Sequence, residues 1–346
     1  MDNKHSSKNS SLGYRIFKYL LSSIGILVIF FIALIAWIYF AQFSGPGPME
    51  INGFHPFRSE KAKTHYFSFE KKMAKRWPIN SEERLVHTSF GKTFVRISGP
   101  TNAPPLVLIP GGGTNSFIWH ANIRALSQYY RTYALDNIYD YGRSIYLQEL
   151  KSGKDYSDWL NEFFDTLGLG NSIGLIGYSY GGWVASQYAL HHPERLNHVV
   201  LIAPVYFISP LPAEYIRRML FTLIPVRHFK ARIMYWAWAD LARMGEYGRQ
   251  LVEERIDYYQ LSLKSFKFKQ PVNPVVLTIS ELKSLKMPVL FLAGNHETAF
   301  NAENTINQLN RINPMIKTVL LSNTGHDLMF THTDVVNSKI INFLKN

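Results

Sequence analysis

The chain contains no cysteine. Disulfides, thiolate metal sites and a cysteine nucleophile are therefore excluded, and composition leaves no trace of the redox compartment. Acidic residues are scarce, with 25 Asp and Glu against 37 Lys and Arg, a formal charge of +12. Such a balance raises nucleic acid as a partner, but the basic residues are scattered and no nucleic-acid motif accompanies them. No nucleic-acid partner is expected. The positive surface reads as solvated, with anionic lipid or cell-wall polymer as the alternative. The zinc-protease pattern H-E-x-x-H is missing, and no metal site is expected. Pro110-Gly111-Gly112-Gly113 is a glycine loop, yet the dinucleotide fingerprint needs a further glycine where Ser116 stands. The Lys-Ser/Thr of a phosphate loop is absent too, so no cofactor is expected.

Charge is also missing from the whole stretch between Lys18 and Glu50, and residues 24–40 are almost wholly apolar. About 20 apolar residues cross a bilayer as a helix. The run is longer than the apolar region of a cleaved signal peptide and ends without a small-x-small site, which favours an uncleaved signal anchor over residues 19–43. Lys4, Lys8, Arg15 and Lys18 precede it, whereas only Arg58 and Lys61 follow closely. That bias predicts residues 1–18 in the cytoplasm, the bulk of the chain outside, and a single-pass cell-membrane protein. Residues 44–81 read as a Gly/Pro linker followed by a basic, aromatic-interleaved juxtamembrane segment. Lys61–Arg76 is expected either to lie on anionic headgroups or to pack on the following domain.

From residue 82 onward the chain alternates short apolar runs with helical patterns, the mark of a mostly parallel sheet. The runs are Leu106–Ile109, Thr132–Leu135, Ser172–Ile176, His198–Ala203, Pro288–Gly294 and Ile316–Leu321, preceded by a hairpin around Phe90-Gly91. Tyr156, Trp159, Leu160, Phe163, Phe164 and Leu167 recur at helical spacing and read as core. Residues 206–287 interrupt the alternation with aromatic, basic helices such as Arg232–Arg243 and Leu251–Leu263, and read as a helical cap over the site.

The stretch most informative for chemistry is Gly177-Tyr178-Ser179-Tyr180-Gly181, a G-x-S-x-G pattern between a strand and a small-residue helix. A sharp strand-to-helix turn would raise the Ser179 hydroxyl above the sheet and aim the Tyr180 amide at an oxyanion. Gly112, in the loop after an earlier strand, would supply the second amide. A serine nucleophile needs a base, and the base an orienting acid. His326 follows the last strand and is the expected base. Glu297 follows the strand before it and is the expected acid, with Asp327 and Asp136 as contenders. His191 and His192 end the helix after Ser179, where a favourable dipole contact accounts for them.

From about Thr88 to the C-terminus the chain resembles the α/β-hydrolase family, and within it the bacterial carboxylesterases. Phe90-Gly91-Lys92-Thr93, the Gly111–Trp119 loop, Asp136-Asn137-Ile138, Asp155–Leu160, the Ser179 elbow, Gly294–Glu297 and Gly325-His326 carry the likeness. A glutamate acid is shared with those esterases, whereas Pro110 stands where many relatives have histidine. The resemblance implies an α/β-hydrolase fold with a mostly parallel sheet, to which the residues themselves add the expected cap insertion and an N-terminal transmembrane helix that is extra to the family. It also implies hydrolysis of a small-molecule or lipid ester through Ser179, Glu297 and His326, without a cofactor. The same triad serves aminopeptidases, perhydrolases and acyltransferases, and a hydrolase-like protein can keep the pocket for binding alone.

Overall fold

The computed structural model describes residues 56–345 apart from 223, 225, 268, 270 and 271, together with seven helical residues near the start: Tyr19, Ser23, Gly25, Ile26, Ile29, Phe30 and Ala33. The chain divides into two compact units, Met1–Gly47 and Pro48–Asn346. The transmembrane span expected over 19–43 lies for the most part outside the described residues. Among the described residues, no helix is long and apolar enough to cross a membrane.

Among the described residues of the second unit, nine strands form one sheet in the order β1-β2-β4-β3-β6-β7-β8-β9, with β5 pairing β2. They are β1 (Glu82–Thr88), β2 (Gly91–Ser98), β3 (Pro105–Ile109), β4 (Arg131–Leu135), β5 (Ile145–Tyr146), β6 (Ile173–Tyr178), β7 (Leu196–Ile202), β8 (Val289–Gly294) and β9 (Ile316–Leu321). β1 and β2 form the expected antiparallel hairpin, Thr88 facing Gly91. From β4 through β9 every neighbouring pair is parallel. Alternate residues of a strand face opposite sides, so each central strand feeds two cores. Val107, Ile109, Leu175, Leu201 and Phe291 enter one, while Leu106, Leu108, Ile176, Val200 and Leu290 enter the other. Strands buried on both faces are continuous apolar runs, as their sequences are.

The helix α1 (Glu60–Ala74) starts at Ser59, whose side chain accepts from the Ala62 amide. Of the two expectations for this basic segment, packing on the domain is what the structure shows. Tyr66 and Glu70 are buried, and the Tyr66 hydroxyl lies 2.8 Å from that of Tyr258. The helix α2 (Gly153–Leu167) opens with a capping box formed by Ser152 and Asp155. Its aromatic stripe from Tyr156 to Phe164 is core, and Trp159 Nε1 donates to Thr93 Oγ1 at 2.8 Å. The helix α3 (Tyr180–His191) follows β6 directly.

Between β7 and β8 come α4 (Ala213–Phe221), α5 (Arg227–Ala237), α6 (Ala239–Arg243), α7 (Glu246–Ser265) and α8 (Ile279–Ser284). The helix expected over Arg232–Arg243 is two helices. Trp238 leaves helical geometry (φ −117°, ψ 41°) and turns its buried ring toward Phe330 and Arg255. The closing helix is α9 (Thr333–Leu344).

Candidate active site

Ser179 occupies the one-residue joint between β6 and α3, with φ 53° and ψ −117°. A non-glycine residue there is strained, and the neighbouring glycines make the turn sterically possible. A β-carbon on Gly177 would come within 2.2 Å of the Gly181 carbonyl oxygen. One on Gly181 would lie 2.4 Å from the carbonyl oxygen of Pro110. Both glycines therefore let backbone pass backbone, and the joint lifts the Ser179 side chain off the end of the sheet.

Two loops beyond neighbouring strands bring the partners. His326, after β9, places Nε2 at 2.9 Å from Ser179 Oγ. Its other nitrogen, Nδ1, stands 3.0 and 2.9 Å from the two carboxylate oxygens of Glu297, after β8. The Glu297 side chain is wholly buried and that of His326 nearly so. Glu297 Oε1 also accepts from the Thr298 and Ala299 amides, both at 2.8 Å. Burial opposes a charged imidazole, but the Glu297 charge and its hydrogen bond outweigh it and hold His326 above its ordinary value. The Tyr178 hydroxyl donates to the His326 carbonyl at 2.8 Å and ties the loop to the elbow.

The two contending acids sit elsewhere. Asp327 turns away from its neighbour, Oδ2 accepting from the Leu241 amide at 2.7 Å and Oδ1 from the Gly325 amide at 3.2 Å. It fastens the base loop to α6. Asp136 is fully buried and accepts from the Ser116 and Arg143 amides, each at 2.8 Å. Of the other histidines near this edge, His296 pairs with Asp240 at 3.0 Å and is partly exposed.

Gly112 lies against the elbow, where an added β-carbon would meet Tyr180 Cβ at 3.4 Å. The Tyr180 amide begins α3, so no carbonyl of a preceding helical turn accepts from it. The Gly112 and Tyr180 amides thus come from two chain segments that meet beside Ser179. Asp140 holds this arrangement, its Oδ2 accepting from the Gly113 amide at 2.8 Å. No motif marks Asp140 or the Tyr178 hydroxyl in the sequence, and neither was expected at the site.

Strand order, elbow and the two loop residues His326 and Glu297 define an α/β-hydrolase. The chain belongs to that family, since the family profile described as the alpha/beta hydrolase fold matches residues 104–333. Carboxylesterase YbfK of Bacillus subtilis is 34% identical over 269 residues, 78% of this chain and 89% of that protein. An uncharacterized carboxylesterase, nap, of the same organism is 28% identical over 83% of this chain and 94% of its own length. The crystal structure of naproxen esterase (carboxylesterase NP) from Bacillus subtilis superposes with a TM-score of 0.76 at 27% identity, covering 82% of this chain and 99% of that one.

Proposed function

We propose that the chain is a serine carboxylesterase that cleaves carboxylic esters through an acyl-enzyme on Ser179. The similarity to carboxylesterases over most of the chain supports the reaction class. The observation that carries the mechanism is the relay from Ser179 Oγ through both nitrogens of His326 to Glu297. His326 Nε2 takes the hydroxyl proton as Ser179 attacks the ester carbonyl carbon. Negative charge gathers on the carbonyl oxygen and is received by the Gly112 and Tyr180 amides. Collapse of that adduct expels the alcohol, which leaves with the proton from His326. Water, deprotonated by His326, then attacks the acyl group and releases the acid and free Ser179. Glu297 keeps the Nδ1 proton in place and balances the imidazolium. No step in this cycle calls on a metal or cofactor.

The test is Ser179→Ala assayed on short p-nitrophenyl esters. A loss of roughly 10⁶-fold in kcat is expected, as for other serine triads. Turnover near the wild-type rate would sink the mechanism.

The proposal extends to location. The charge-free run after Lys18 is long enough for a single anchor, and the basic residues before it favour a cytoplasmic N-terminus. The hydrolase then works outside the membrane, on small or lipid esters reaching it there. Protease added to intact protoplasts should remove the catalytic unit and leave a small anchored fragment. Protection until the membrane is broken would reverse the orientation.

A further inference from the structure

A narrow, partly open crevice lies between α1, the loop after Gly113 and α7. Thr114 and Asn115, just beyond the Gly111–Gly113 loop, form one wall, and Phe330, shortly after His326, forms another. Much of the lining is apolar, including Phe117, Ile118, Trp238 and Leu251. Its charged groups are Glu70, Arg76, Glu254 and Arg255, and three of these are already accounted for. Arg76 Nη1 pairs with Glu254 Oε2 at 2.5 Å. Glu70 accepts from Asn115 Nδ2 at 3.0 Å, and burial together with the Asp136 charge pushes its carboxyl up to about 8. It also lies 3.8 Å from the Arg143 guanidinium, so its charge has a partner. His120, on the same lining, is pushed down to about 4 by burial.

Arg255 is left over. Its Nε is buried without an acceptor, and among the described residues no carboxylate lies within ion-pair distance of it. The guanidinium sits 5.7 Å from the ring centres of both Trp238 and Tyr258. Asp140 feels its charge, but that carboxylate is already held by the Gly113 and Tyr141 amides and offset by Lys269. One turn further along α7, the Tyr259 ring stands against Gly113, 3.1 Å from where a β-carbon there would lie, so this helix borders the loop that carries Gly112. Keeping an unpaired guanidinium in an apolar cleft is costly. Its planar fork of donors matches a carboxylate in bidentate fashion.

We propose that Arg255 anchors a carboxylate carried by the substrate, at the end remote from the ester that Ser179 cleaves. This rests on the carboxylesterase reading above and names its substrate class: half-esters of dicarboxylic acids, with an apolar body lying along Trp238 and Phe117. A single unmatched positive charge suits a singly charged carboxylate better than a phosphate dianion.

The test compares p-nitrophenyl hexanoate with the mono-p-nitrophenyl ester of adipic acid, whose chain ends in carboxylate instead of methyl. Wild-type enzyme should favour the adipate ester by about tenfold or more in kcat/KM, chiefly through KM, as a charged hydrogen-bond pair would give. Arg255→Met should abolish or invert that ratio, and Arg255→Lys, which keeps the charge but not the fork, should restore part of it. Equal kcat/KM for the two esters in wild type would overturn the proposal without needing any variant to fold. So would a preference that persists in Arg255→Met. Either result with normal hexanoate turnover and phosphonate labelling of Ser179 refutes the Arg255 assignment alone. Absence of both turnover and labelling refutes the esterase reading, and this proposal falls with it.

Discussion

Replacing Glu297 by Gln changes one oxygen to an amide nitrogen and removes the charge at the buried end of the relay. In the native site Glu297 Oε1 satisfies the Thr298 and Ala299 amides at 2.8 Å while both oxygens face His326 Nδ1. The glutamine oxygen will keep the two backbone donors, which turns its NH₂ toward Nδ1. An amide donor there demands a bare Nδ1, so the proton moves to Nε2 and points at Ser179. The base is then in the wrong tautomer, and no carboxylate stabilises the imidazolium. Serine triads deprived of their acid lose roughly 10⁴-fold in kcat, about 5 kcal/mol of transition-state stabilisation. The sign of the pH effect follows from the same contact. Burial lowers His326 and Glu297 raises it, with Glu297 winning. Without that charge His326 titrates lower, and the acidic limb of the residual kcat/KM profile moves to lower pH. Steady-state kinetics on p-nitrophenyl esters across pH, with thermal unfolding to check the fold, measures both effects. Near-normal kcat, or an acidic limb displaced upward, would refute the assignment of Glu297.

Asp327→Asn disturbs the Leu241 and Gly325 contacts and not the relay, so it should lower Tm while costing far less kcat than Glu297→Gln. Interchanged behaviour would identify Asp327 as the acid. Gly181→Ala puts a β-carbon 2.4 Å from the Pro110 carbonyl oxygen, a clash with backbone that should cost about 3 kcal/mol or more and show as loss of soluble, phosphonate-reactive protein. Tyr178→Phe strips the His326 carbonyl of its 2.8 Å donor and should lower stability by about 1 kcal/mol in urea titration. Glu70 has its carboxyl raised from 4.5 to about 8, chiefly by burial. It therefore costs stability progressively as pH rises from its unfolded value toward the folded one. Glu70→Gln should accordingly raise Tm relative to wild type more at pH 8 than at pH 5, and an equal or opposite difference would contradict that burial effect.

The middle of the sheet was legible because β3, β6 and β8 are buried on both faces and appear as apolar runs, each expected one falling within two or three residues of an observed strand. The elbow was legible because only glycine fits at positions 177 and 181, and those glycines are visible as letters. Loop order singled out His326 and Glu297, while only the distances show that Glu297 lies against His326 and that Asp327 and Asp136 face backbone amides instead. Arg255 carried no signal. It is one of several basic residues along a 20-residue helix, and nothing in the sequence shows that it is the one buried without a partner. The helix break at Trp238 was equally hidden, since neither proline nor glycine marks it and buried ring packing accompanies it. The basic run in α1 left headgroup binding and packing equally open until Tyr66 and Glu70 were seen buried.

The central claim is that Ser179 is the nucleophile activated by His326. Reaction of the full-length protein with a fluorophosphonate, followed by peptide mapping, tests it most directly. One equivalent of phosphonyl adduct is expected on the peptide bearing Ser179, formed far more slowly in the His326→Ala variant. An adduct on another residue, or an unmodified Ser179 in protein that still turns over esters, would contradict it.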